Sequence, residues 1–150
     1  MSRSVLLLID TAALAFRAHY AFIKHPLTRP DGKVTSALFG YCNSILAIVE
    51  KVQPTHILAA RDLPGKNFRH EMYFNYKANR PPCPPELMWQ LEEIPRMSEA
   101  MGIVSAAQEG FEADDIIGTM AYRAAASEME VLILSGDKDF MQLLRPGIAM

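Results

Sequence analysis

The 150-residue sequence has only two cysteines, Cys42 and Cys83, and neither sits in a CxxC pair or at a Cys/His ligand spacing. This scarcity argues against a disulfide-built scaffold or a zinc-ribbon site and suits reduced thiols in a cytoplasmic protein. Long apolar runs are also missing. The opening MSRSVLLLID holds five consecutive apolar residues before an acid, too few for a signal-peptide core or a membrane span, so no membrane partner is expected. Excess positive charge is absent too. Fifteen Lys and Arg against 17 Asp and Glu leave a formal charge of −2, so nucleic-acid binding has to be argued from local patches. There is no internal repeat, low-complexity tract, second-domain boundary or Ser/His/Asp arrangement. What remains is a chain that is 50% hydrophobic, enough for one sizeable core and one domain over residues 1–150.

Val5 to Ile9 is a continuous run of Leu and β-branched residues, the pattern of a strand buried on both faces in a parallel sheet. From Thr35 to Val52, Ala37, Leu38, Tyr41, Ile45, Leu46, Ile48, Val49 and Val52 recur at helical spacing, with Thr35 or Ser36 available as N-cap. QPTHILAARD turns at Pro54 and enters a second strand that closes on Asp62. Leu63 to Pro85 carries five prolines and no core periodicity, so it reads as a long excursion with one short helix, and long ordered loops are usually functional. Glu86 to Met101 reads as a helix that Pro95 kinks or divides. IVS is a short strand, Glu112 to Ala126 a helix and Val131 to Leu134 a further strand. Alternating strands and helices predict an α/β fold with a mostly parallel central sheet flanked by helices.

In open parallel sheets, ligands bind beyond the carboxyl ends of the strands. Three predicted strand ends deliver Asp10, Asp62 and the pair Asp137 and Asp139, while EGFEADDIIG adds Glu112, Asp114 and Asp115 at the start of a helix. Glu112 and Asp115, three residues apart, share a helix face, and Asp114 points away from it. Helix capping accounts for acids at such a turn. It does not account for further acids arriving from three strand ends. Seven carboxylates on one rim repel one another unless cations sit among them. Without His or Cys at ligand spacing, the donor set is all oxygen, which suits one or two Mg²⁺ or Mn²⁺ ions. Two hard cations can activate a water and stabilise a leaving oxygen at a phosphodiester, with no protein nucleophile needed.

The excursion is the complementary half. GKNFRHEMYFNYKANRPP places Lys66, Arg69, Lys77 and Arg80 among Phe68, Tyr73, Phe74 and Tyr76, against the single acid Glu71. Cations meet phosphates and rings stack on unpaired bases, so the composition suits a splayed or frayed single strand. The same composition also suits a loop packed on its own domain. Arg17, about two helical turns beyond Asp10, either reaches the same rim or is an exposed helix charge.

These segments resemble the 5′ nucleases, the family of the 5′→3′ exonuclease domain of bacterial DNA polymerase I and the flap endonucleases. LLLIDTAALAFRAHYAF, DGKVTSALFGY, FRHEMYFNYKANRPPCPPEL, EGFEADDIIGT and SGDKDFMQLL follow the family's motifs in order over nearly the whole chain. The resemblance implies a PIN-like, resolvase-like core and metal-dependent phosphodiester hydrolysis near DNA 5′ ends, in primer removal and repair. It places Asp10, Asp62, Glu112, Asp114, Asp115, Asp137 and Asp139 on the metal-binding acids. Lys77 and Arg80 fall on the catalytic cations, and Arg17, Arg69 and Tyr76 on substrate-binding positions. The implied partners are DNA with a 5′ flap or frayed end, an RNA primer paired with DNA, and a polymerase domain or C-terminal nuclease segment.

Three residues depart from the family pattern. Thr11 and Ser36 stand where glycines are usual, and Arg61 stands where an apolar residue usually precedes Asp62. The family also continues with further metal aspartates and a helix-hairpin-helix element, whereas this chain ends at RPGIAM. The expectation is therefore an N-terminal catalytic part, with a truncated remnant that binds nucleic acid with little or no catalysis as the alternative. Phosphoryl transfer through an aspartyl phosphate uses a similar rim, but it needs fewer acids and leaves the basic, aromatic excursion unexplained.

Overall fold

The computed structural model describes residues 4–150. Strands β1 (Val5–Asp10), β2 (His56–Ala60), β3 (Val104–Ala106), β4 (Glu130–Leu134) and β5 (Ile148–Ala149) form one sheet in the order β3-β2-β1-β4-β5. Every strand pairing in it is parallel. Helices α1 (Thr11–Ala21), α2 (Ser36–Val52), α3 (Phe68–Met72), α4 (Pro85–Ala100) and α5 (Ala113–Ala126) connect the strands. A 3-10 turn spans Lys138–Leu143. The α/β expectation is met; β5 and the 3-10 turn are additions too short to leave a periodic signature.

The unbroken apolar run of β1 is explained by its central place, because successive side chains enter opposite cores. Leu7 and Ile9 pack with Leu14, Tyr41, Ile45, Leu87 and Ile94 under α1, α2 and α4. Leu6 and Leu8 pack with Ile117, Ala121, Val131 and Ile133 under α5. Full burial of each Leu or Ile contributes roughly 1.5–3 kcal/mol. α1 and α2 approach so closely that a Cβ on Gly40 would lie 2.4 Å from the Ala18 Cβ.

Two local expectations change. Thr35 is the N-cap of α2 but makes no side-chain capping bond. That work is done from α4 by the fully buried Gln90, whose Oε1 accepts the N–H groups of Ala37 at 2.9 Å and Leu38 at 3.2 Å. Ser36, at a usual glycine position, is buried with its Oγ accepting the Leu27 N–H at 2.9 Å. α4 is not divided at Pro95: it runs from Pro85 to Ala100, with Leu87 and Gln90 before the proline and Ser98 after it buried along one face. Burial on both sides of the ring holds the helix together where propensity alone would end it.

β2 stops at Ala60, earlier than predicted, so Arg61 lies past the strand end and partly exposed rather than buried in the sheet. Its N–H still donates to the Ala106 carbonyl at 2.9 Å. The chain runs from β1 outward to β2 and β3, then returns to the other side of β1 for β4. The reversal between β1 and β4 is the crevice where such sheets bind ligands.

Candidate active site

At that crevice Asp10 ends β1 and caps α1, with its Oδ1 accepting the Ala13 N–H at 3.1 Å. Its Oδ2 accepts the Ser135 hydroxyl across the β1–β4 gap at 2.7 Å. Ser135 Oγ in turn accepts the Asp137 N–H at 3.0 Å, and Asp137 Oδ1 accepts the Asp139 N–H at 2.9 Å, which caps the 3-10 turn. From the loop after β2, Asp62 Oδ1 accepts the Ala113 N–H at 2.7 Å, docking the start of α5 against the rim. Asp114 stands on that first turn.

The negative charges of Asp62 and Asp137 act on both Asp10 and Asp114. Burial holds the Asp10 carboxyl above its ordinary range, and the charges of Asp62 and Asp137 add to the effect. Loss of solvent, then the charges of Asp10, Asp62 and Asp137, push the Asp114 carboxyl up to about 6. The Asp114 residue is exposed overall, so the like charges carry more physical weight than burial here. Among the described residues no Lys, Arg or His forms an ion pair with Asp10, Asp62, Asp114 or Asp137. Nor do three Asp, Glu, His or Cys side chains close into a finished metal cage. Carboxylates that accept hydrogen bonds but have no cationic partner among the described residues have the oxygen-donor chemistry of a site for a hard divalent cation that keeps part of its water shell.

The other face of the α5 turn meets the excursion. Glu112 and Asp115 do share a face, and it is filled with cations. Arg69 holds Asp115 through two parallel bonds, Nη1 to Oδ2 and Nη2 to Oδ1, both 2.7 Å. Asp115 Oδ2 also accepts the Glu112 N–H at 2.9 Å. Glu112 accepts the Lys77 ammonium at 2.5 Å, the Asn67 amide at 2.7 Å and the Tyr76 hydroxyl at 3.0 Å. Burial alone would raise the Glu112 carboxyl, but Lys77 and the two other donors outweigh it and leave it below the ordinary range. The Arg69 guanidinium lowers Asp115 likewise. Asp115, expected as a metal ligand, and Arg69, expected as a substrate contact, are thus bonded to each other, and Arg69 Nη1 also stands 3.7 Å from Glu112 Oε2.

Lys77 adopts a left-handed backbone, φ 57°, a conformation that costs a non-glycine residue about 1–2 kcal/mol. Arg80 follows within one turn, its N–H donating to the Lys77 carbonyl at 3.1 Å, and its own side chain is exposed with no ion-pair partner among the described residues. Lys77, Arg80, Lys66 and Asp62 line a cleft of about 320 Å³ between the excursion and the acids. Asp139 faces a second cleft of about 490 Å³, shared with Arg69, Tyr76 and Asp114. Arg17 does not join this rim; it is exposed and lines a groove between α1 and α2 with Phe39 and Asn43. Two polar residues that pattern reading missed are wired into the site, Ser135 and Asn67. Ser135 follows a strand directly, and Asn67 precedes a helix as an N-cap, accepting the Arg69 N–H at 3.1 Å. Both positions are visible in the sequence.

The family described as 5′-3′ exonuclease, N-terminal resolvase-like domain, matches residues 5–150. The chain belongs to this family. It is 38% identical to DNA polymerase I of Mycobacterium leprae, over 99% of this chain and 16% of that protein. It is 34% identical to the 5′-3′ exonuclease of Bacillus subtilis, over 100% of this chain and 51% of that protein. The chain thus spans about half or less of the length of these curated relatives. A bacteriophage T5 protein co-crystallised with metal ions shares the fold, with a TM-score of 0.75 at 19% identity over 96% of this chain and 53% of that one. A zinc-bound T5 5′-exonuclease does so with a TM-score of 0.70 at 19% identity, over 96% of this chain and 53% of that one. The 5′-3′ exonuclease fold therefore accounts for the five-stranded parallel sheet and its helices.

Proposed function

We propose that this chain is the N-terminal catalytic part of a divalent-metal-dependent 5′→3′ exonuclease or flap endonuclease, hydrolysing phosphodiester bonds in DNA near 5′ ends. The observation that carries it is a set of four carboxylates, Asp10, Asp62, Asp114 and Asp137, with no ion-pair partner among the described residues, of which Asp62 lines the cleft edged by Lys77 and Arg80. Asp10, Asp62, Asp114 and Asp137 would hold one Mg²⁺ or Mn²⁺, with Glu112 at its edge and Asp139 contributing to a second. A cation bound there supplies Lewis-acid activation of water and neutralises charge on the phosphodiester.

The chain's own residues supply the rest. Lys77 and Arg80 offset the negative charge that develops on the phosphate. Tyr76 stands beside Lys77, and its ring suits stacking on an unpaired base. Arg17, exposed on the α1–α2 groove, would contact the strand away from the reaction centre. Homology to DNA polymerase I supports DNA as the substrate class, and a fold neighbour is a T5 flap endonuclease in complex with DNA and metal ions. An RNA primer paired with DNA carries the same phosphodiester chemistry and would be a second substrate, with a polymerase domain or C-terminal nuclease segment as the partner. A 5′-labelled flap incubated with Mg²⁺ or Mn²⁺ is expected to be cut near its junction. Binding without cutting in either metal is the behaviour of a remnant and overturns the proposal.

A further inference from the structure

We infer that Arg69 and Asp115 form a positioning clamp, which fixes the base of the excursion to α5 so that Tyr76 and Lys77 meet Glu112, and that neither residue contacts the substrate or the metal. The inference rests on the nuclease reading for its catalytic consequence, but its geometry stands by itself.

Both oxygens of Asp115 and both terminal nitrogens of Arg69 are used in one planar fork. Such bidentate pairs combine strength with fixed orientation. The pair is partly shielded, with side chains 28% and 23% exposed. The Phe68 ring lies 4.5 Å from the Arg69 guanidinium, and Phe68 packs in turn on Phe111 at 5.7 Å. The guanidinium is thus fixed on a ring as well as by a carboxylate, which leaves it poorly placed to grip a phosphate. From that anchor the chain runs through α3, closed by the C-cap Tyr73 whose N–H bonds back to the Arg69 carbonyl at 2.8 Å, to Tyr76 and Lys77. Lys77 holds its unfavourable left-handed backbone, φ 57°, while its ammonium meets Glu112 at 2.5 Å. A loop held at one end can maintain such strain; a free loop relaxes.

The test measures three quantities on the 150-residue chain: amide exchange across residues 66–80, Mn²⁺ stoichiometry, and flap cleavage against flap affinity. Arg69→Ala and Asp115→Ala should each speed exchange across the excursion by about tenfold, and the double variant should do no more than either, as for coupled partners. The charge-swapped pair, Arg69→Asp with Asp115→Arg, should recover part of the protection. Asp115→Ala should keep the wild-type Mn²⁺ stoichiometry, and in Arg69→Ala the single-turnover rate should fall more than DNA affinity. Additive exchange effects, a lost Mn²⁺ in Asp115→Ala, or an affinity loss that matches the rate loss each overturn the clamp. Exchange in β1 and β4 reports the fold separately. If Asp115→Ala fails to fold, Arg69→Lys carries the test, since it keeps the charge and loses the fork. The exchange arms need neither metal nor DNA, so failure of the nuclease reading leaves them intact and distinguishable.

Discussion

Ser135 and Asp10 stand 125 residues apart in sequence and share a 2.7 Å hydrogen bond across the switch between β1 and β4. The bond closes the crevice and orients a carboxylate that is only 5% exposed. Ser135→Ala removes the donor and also the acceptor of the Asp137 N–H. Loss of a hydrogen bond to a charged group costs about 1.5–3 kcal/mol. Urea unfolding should show a loss of that order, with Mn²⁺ affinity weakened in parallel. Unchanged stability and affinity would mean that the bond has no organising role.

Asp114 carries a folded-state carboxyl raised to about 6 from an ordinary 3.8. The folded state therefore binds this proton more readily than the unfolded chain, so stability rises as pH falls through 6 toward 4, and the penalty is fully present above 6. In a chelator, the melting temperature of Asp114→Asn should exceed that of the wild type at pH 7.5. The gap should narrow at pH 5. A gap that is absent, reversed or independent of pH would contradict the like-charge crowding.

Lys77 combines a contact to Glu112 with a strained backbone. Both Lys77→Gly and Lys77→Ala leave the nearly buried Glu112 without its ammonium, but Lys77→Gly also relieves the backbone and should lose less stability than Lys77→Ala. Both should reduce single-turnover cleavage by about a hundredfold or more, the scale for one lost electrostatic contact to a transition state. Rates within twofold of wild type in both variants would remove Lys77 from the chemistry.

Gln90 is a structural prediction free of any metal. Gln90→Leu preserves bulk but leaves the N–H groups of Ala37 and Leu38 without their acceptor. Denaturation should show a loss of about 1–3 kcal/mol, and exchange of these two amides should accelerate more than that of α2's middle. Equal protection at both places would show that α2 does not depend on α4 for its cap.

Much of this organisation is legible in the sequence because it follows from local rules. The Val5–Ile9 run, the helical periodicity of residues 35–52 and the acids at strand ends each carry their own pattern, and the parallel sheet follows from their alternation. What was not legible depends on long-range contact. Gln90 caps a helix 52 to 53 residues away, a relation with no sequence signature. The α5 turn shows the same limit. Spacing puts Glu112 and Asp115 on one face and Asp114 on another, but it cannot say which face meets the strand ends. The structure turns Asp114 to the acids and gives Glu112 and Asp115 to the excursion. For Arg17 the sequence leaves two places open, the rim and an exposed helix face, and folding exposes it along the α1–α2 groove.

The central claim is that the carboxylates at the β1–β4 crevice hold a cation for phosphodiester hydrolysis. Single-turnover cleavage of a 5′-labelled flap in Mg²⁺ by wild type and Asp114→Asn, with DNA affinity measured on the same samples, tests it most directly. The account predicts that Asp114→Asn abolishes cleavage while binding DNA as tightly as wild type or more so, because a negative charge facing the phosphates is removed. Cleavage retained in Asp114→Asn would contradict it.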